Sequence, residues 1–257
     1  MLPSFLSSTS VGGHDAAIIL FDPLNHFSIP CLASIMLSLL FSSILATGKS
    51  LDEDIKTTMK EVVKRSLLHL HIFRPQSWSA LISTLHSLPD YLFDNTRHKS
   101  MHRRIHSLIL DDIDAFVWSI RSTFPSLPTS TSTSNFLSTA STQLTTQLTK
   151  LVALLSCATL LTSHSSSNSP TTFRPHLPTI WPPGTHITRL AVRRVKVLKF
   201  APAISIEEAE AERQQRWDVV IRARFECWKV GQGVRDGEGF VFSVGERGVE
   251  VESEERM

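Results

Sequence analysis

Residues 107–118 read SLILDDIDAFVW, and the understanding of that stretch decides the fold. The apolar run Leu108-Ile109-Leu110 gives way at once to Asp111 and Asp112, and Phe116 and Trp118 follow closely. A short unbroken apolar run with polar flanks predicts a strand buried on both faces, the central-strand pattern of a parallel α/β sheet. Its carboxylates then emerge at the carboxyl edge, where open α/β sheets bind ligands and where an Asp can hold Mg²⁺ beside a nucleotide. The plainer reading is a strand that ends in a solvated turn, since apolar runs closed by Asp are common in α/β proteins.

Working outward, Ala16–Phe21 (AAIILF) has the same form, ends in Asp22 and is followed by the turn residues Pro23 and Asn25. Residues 29–45 carry a helical pattern that Gly48 stops. Residues 51–64 place Asp52, Glu53 and Asp54 early and Lys60 and Lys64 late, the charge distribution that a helix dipole favours. Leu67–Phe73 (LLHLHIF) is a third strand, whose alternation puts Leu68, Leu70 and Ile72 on one face and His69 and His71 on the other, a partly exposed one. Gln76–Phe93 sets Trp78, Leu81, Ile82, Leu85, Leu88 and Leu92 at helical spacing, and the basic cluster 97–104 beyond it reads as a solvated connection.

After the central strand, a Ser/Thr-rich tract at about 122–142 is expected to be a polar loop, as is a second tract at 162–172. Between them a helix resumes at Leu137 or Gln143 and runs into Leu151–Leu155, expected as the next buried strand. The last third supplies strand-like segments at 186–200, 217–230 and 240–252, with a Glu-rich insertion at 203–216 and Gly231, Gly233, Gly237 and Gly239 at the last turn. The order predicts an α/β protein, a mostly parallel sheet flanked by helices with antiparallel C-terminal strands.

Composition excludes little: 42% hydrophobic and 19% charged residues are those of an ordinary globular chain, and a net charge of +2 makes any basic footprint a local one. Cys31, Cys157 and Cys227 are far apart and form no CxxC pair, which predicts reduced core thiols and no zinc site. The start, MLPSFLSSTSVGG, lacks the basic and apolar regions of a secretory signal. Residues 29–46 carry no charge and approach the ~20 residues a bilayer crossing needs, so a membrane-anchored protein competes with the globular reading; Pro30 and the serines of the run argue against it.

Gly48-Lys49-Ser50 imitates the end of a phosphate-binding loop, but Ser43 stands where the motif needs its first Gly. A more specific likeness runs along the chain. LILDDIDAFVW resembles the Walker B strand of RecA-like recombinases, and in particular of the eukaryotic recombinase paralogues of the X-ray-repair cross-complementing type. In order, FDPLNHF (21–27) is similar to the strand-end segment after their P-loop helix, FRPHLPTIW (173–181) to the loop before the strand that follows their second DNA loop, THITRLAVRR (185–194) to that strand, and VGERGVEV (244–251) to the closing strand.

That resemblance implies a single RecA-like P-loop ATPase core over 1–257, and work in the nucleus in homologous-recombination repair of DNA double-strand breaks. The partners it implies are another recombinase paralogue and single-stranded or branched DNA, with no membrane. It also implies that the chain starts just before the second core strand, without the Walker A loop. The position of the catalytic Glu is Leu24 and that of the nucleotide-sensing Gln is Thr159. Asp111 and Asp112 are then a vestigial Mg²⁺ site, no catalytic residue is expected, and ATP and Mg²⁺ enter only if a P-loop is supplied. An intact DNA-dependent ATPase whose upstream P-loop lies outside this reading frame is the alternative. The DNA-contact candidates are Arg174, His176, Arg189, Arg193 and Arg194, the local basic stripe with Lys196 and Lys199, for which a solvated strand edge is the plainer reading.

Overall fold

A computed structural model describes residues 5–6, 9–10, 12–48, 52–123, 132–165, 175–195, 223–230, 239–245 and 248–252, together with single positions between 207 and 217. Two compact units result, Met1–Thr185 and His186–Met257.

The first unit opens with a small hairpin, β1 (Phe5–Leu6) against β2 (Thr9–Ser10). Its centre is a parallel sheet of β3 (Ala17–Phe21), β4 (Leu70–Phe73), β5 (Ile105–Leu110) and β6 (Ala158–Leu161), in the order β4-β3-β5-β6. The SLILDD stretch is therefore an interior strand, and Ile19 opposes Leu108 as Phe21 opposes Leu110. All four of these side chains are buried on one face of the sheet; on the other face Leu20 is buried, while Ile18 and Ile109 are half-buried.

Helix α1 (Ile29–Leu45) begins where the Ser28 hydroxyl accepts the Cys31 amide, and α2 (Glu53–Leu67) carries acids in its first turn and bases in its last. The two share an apolar cluster of Met36, Leu40, Ile44, Met59 and Val63. No helix among the described residues is long and apolar enough to cross a membrane. Gly48, at φ +72°, follows a helix and not a strand, so its surroundings are not those of a phosphate loop; residues 49–51 lie outside the described set. Cys157 and Cys227 are buried, but Cys31 is exposed, contrary to the expected core thiol, because it sits in the first turn of α1 away from the buried stripe.

Helix α3 (Trp78–Leu92) follows the predicted spacing: Leu81, Ile82, Leu85, Leu88 and Leu92 are buried. After β5 come a short helix, α4 (Val117–Thr123), and a long one, α5 (Ser132–Leu155). The latter corrects two expectations. Residues 132–142 are helical and not loop, while 124–131 lie outside the described residues. Leu151–Leu155 completes the helix, and the strand comes later, at β6. The physical reason is that Leu137, Ala140, Leu144, Leu148 and Leu151 form one helical stripe into the core, while Thr142, Thr145 and Thr149 donate their hydroxyls to carbonyls four residues back. A five-residue apolar run at the end of such a stripe has no period of its own to mark it as strand.

His69 and His71 are also corrected, for both are buried, with exposures of 8% and 6%. The loop after α3 brings Ser100, itself 2% exposed, between them, its Oγ lying 2.8 Å from His69 Nδ1 and 2.9 Å from His71 Nε2. Tyr91 and His98 close the cluster, so the basic segment 97–104 is partly structural.

The second unit is an antiparallel sheet of β7 (Arg189–Arg194), β8 (Arg224–Val230), β9 (Gly239–Gly245) and β10 (Gly248–Val251), in the order β10-β9-β8-β7. The expected third segment, 240–252, is thus two paired strands, and the antiparallel strands form a sheet of their own rather than extending the parallel one. Of the Glu-rich insertion, Glu207, Glu208, Glu210 and Arg213 have helical backbone; Gly231, Gly233 and Gly237 lie outside the described residues, and Gly239 begins β9.

Candidate functional site

Each strand of the parallel sheet hands a polar side chain to the same carboxyl edge. Asp22 follows β3, Arg74 follows β4, Asp111 and Asp112 follow β5, and Thr162 follows β6. In a parallel sheet all strands end on one side, which is why the residues gather there from positions 140 apart in sequence.

Asp22 is 1% exposed and fully employed. Its carboxylate accepts the amides of His26 at 2.8 Å and Phe27 at 3.3 Å and lies 3.5 Å from Arg74 Nε. It shapes the turn that carries Leu24, which is 42% exposed. A hydrocarbon side chain cannot orient or deprotonate a water.

Asp111 is tied to the neighbouring strand, its amide donating to the Phe21 carbonyl at 2.9 Å. Its Oδ1 accepts the Thr162 hydroxyl at 2.7 Å, and the Thr162 hydroxyl oxygen in turn accepts the Asp112 amide at 2.7 Å. Thr159 instead lies within β6, with its hydroxyl oxygen buried and without a hydrogen-bond partner. The residue reaching Asp111 from β6 is therefore Thr162. Asp112 takes a left-handed backbone, φ +54°, which Asp tolerates better than most residues and which turns the chain sharply away from the sheet.

Asp114, not among the residues the sequence singled out, joins segments 50 and 63 positions further along the chain. Its Oδ1 accepts the Leu177 amide at 2.7 Å and its Oδ2 the His164 amide at 2.8 Å, so one carboxylate pins two loops to the end of β5. Burial pushes this carboxyl above the ordinary carboxylate range; the two amide bonds pull it down and the neighbouring Asp112 pushes it up again. Only its spacing from Asp111, one helical turn of acids beside an apolar residue, hinted at it.

Ligand atoms of Asp112, Asp114 and His164 lie within 4.8 Å of one another, the one group of three such residues among those described. Asp112 Oδ1 is 3.4 Å from the ring Nδ1 of the largely exposed His164. Asp114 meets a cation only with lone pairs its two amides leave. Magnesium prefers one or two carboxylates plus water and phosphate oxygens, and the carboxylates that the ligand group brings together are those of Asp112 and Asp114, without Asp111. Such an ion would neutralise phosphate charge. The phosphate share has no counterpart here, because among the described residues no parallel strand is followed by a glycine-rich loop.

Arg174, Lys196 and Lys199 lie outside the described residues, and His176 is half-buried beside Leu177 in the first unit. On β7, alternation sends Arg189 and Arg193 to one face and Arg194 to the other. Arg193 is paired with Glu226 and stacked 5.1 Å over Trp228, and Arg194 lies 5.8 Å over Phe225. No protein-family model matches this chain, and no curated protein matches it.

Proposed function

We propose that the chain is a non-hydrolysing RecA-like recombinase paralogue that serves as an adaptor subunit in homologous-recombination repair of DNA double-strand breaks, in the nucleus, alongside another recombinase paralogue. The observation that carries the reading is the side-by-side pairing of β3 and β5 inside a parallel sheet, with Asp111 hydrogen-bonded to Phe21. A nucleotide-binding fold needs its strand-end acid in that interior position.

Two features support the absence of turnover. Leu24 offers no base, and the acids at the strand ends are engaged with Thr162 and with loop amides. Retained Asp111 and Asp112 keep the shape of a metal-carboxylate edge, so ATP and Mg²⁺ bind only where a phosphate loop is supplied. Direct DNA contact is a minor part of the proposal, since each phosphate needs a free cation and Arg193 is already neutralised by Glu226.

The test uses the full chain co-purified with a second recombinase paralogue. ATP turnover with and without single-stranded DNA is expected to be unchanged by Asp111→Ala in this chain. Turnover that this substitution abolishes removes the non-catalytic part of the proposal. In cells, loss of the chain is expected to lower a homologous-recombination reporter; an unaffected reporter removes the repair role.

A further inference from the structure

The antiparallel sheet of the second unit has two unlike faces. On one, Arg193 pairs with Glu226 and Arg224 holds Glu252 by two hydrogen bonds, so charge is balanced within the sheet. On the other, strand alternation lines up Leu190 and Val192 of β7, Phe240 and Val244 of β9, and Val249 and Val251 of β10, each between 44% and 62% exposed. Phe225 and Phe242 stack at its centre with ring centroids 5.5 Å apart. A sheet with one apolar face is stable only when a second layer covers that face, and a contiguous exposed patch of this kind marks an interaction site.

We propose that this face docks an amphipathic helix of a partner protein, its apolar stripe laid on the Phe225–Phe242 centre and its flanks acidic. The charge on the face selects that chemistry. Its charged residues among those described are Arg194, beside Phe225, and Lys229, opposite Leu190. The sheet's acids, Glu226, Glu250 and Glu252, all alternate to the other face. The same face of a second copy would, among the described residues, bring the same two cations and no acid, whereas an acidic-flanked helix supplies a counter-charge to each. The inference does not rest on the reading of the parallel sheet.

The experiment uses the full chain and two labelled 18-residue helical peptides with identical leucine stripes, one flanked by Glu and one by Lys, followed by fluorescence anisotropy. The Glu-flanked peptide is expected to bind at least about tenfold more tightly than the Lys-flanked one, with a gap that shrinks as salt rises. Val249→Lys with Val251→Lys, on the exposed edge strand, is expected to weaken it at least about tenfold. Lys229→Glu, which leaves the apolar patch intact, is expected to narrow the gap between the peptides while far-ultraviolet circular dichroism stays unchanged. Equal affinity for both peptides, binding of neither, or a dimer of the chain that the valine substitutions dissociate would each overturn the proposal.

Discussion

Acidification from pH 7 to pH 5 should loosen the first unit through His71. That ring is 6% exposed, sits 3.0 Å from the Tyr91 hydroxyl and 2.9 Å from Ser100 Oγ, and meets the His98 ring edge-on at 5.0 Å. Burial, followed by the charges of His98 and His69, lowers its pKa from 6.5 to about 4. In the unfolded chain the ring titrates near its ordinary value, so between those two pKa values the unfolded state takes up a proton that the native state refuses. Stability is fully present above pH 6.5 and falls as pH drops, by about 1.4 kcal/mol per unit in mid-window, and levels off below pH 4. From pH 7 to pH 5 the loss comes to about 2 kcal/mol. The assay is urea unfolding of the first unit at several pH values for the wild type and for His71→Gln, whose amide keeps a donor and an acceptor but does not titrate. His69, also lowered chiefly by burial, has the same sign and is common to both proteins, so it cancels in the difference. Parallel pH dependences for the two proteins, or an NMR titration of His71 centred near pH 6.5, would refute the reasoning.

Asp114→Ala leaves the Leu177 and His164 amides without their acceptor and is expected to destabilise the first unit by about 2–5 kcal/mol; Asp114→Asn, which can still accept one of them, by about half as much, both read by chemical denaturation. Gly239→Ala places a methyl carbon 2.6 Å from the Cys227 carbonyl oxygen, a backbone atom with no room to yield, and is expected to cost the second unit about 1–3 kcal/mol, seen as a lower melting temperature with the first unit's transition unmoved.

The strands at the heart of the parallel sheet were legible because an interior strand, packed closely on one face and at least partly on the other, leaves an unbroken apolar run, as in Ala16–Phe21 and Leu108–Leu110, and the acid behind each run marked the edge where polar groups collect. Helix α3 was legible through the spacing of its leucines, and Asp111 and Asp112 through their place after the run. The Ser/Thr tract misled, since a hydroxyl that bonds to its own helix's carbonyl looks, in sequence, the same as one that bonds to water. Periodicity likewise assigned His69 and His71 to a shared face but could not say what covers it; Ser100 and Tyr91 arrive from 20 to 31 residues away.

Sequence by itself thus determined the local elements, because propensity and hydrophobic period act over a few residues. Tertiary structure alone decided that the closing strands pair as a separate sheet, that Thr162 rather than Thr159 meets Asp111, and that Asp114 holds two loops. The hydrogen bonds of Asp111 and Asp114 join residues 50 to 63 positions apart, and no local pattern encodes which of many equally polar side chains a folded chain will bring within 3 Å of a strand-end carboxylate.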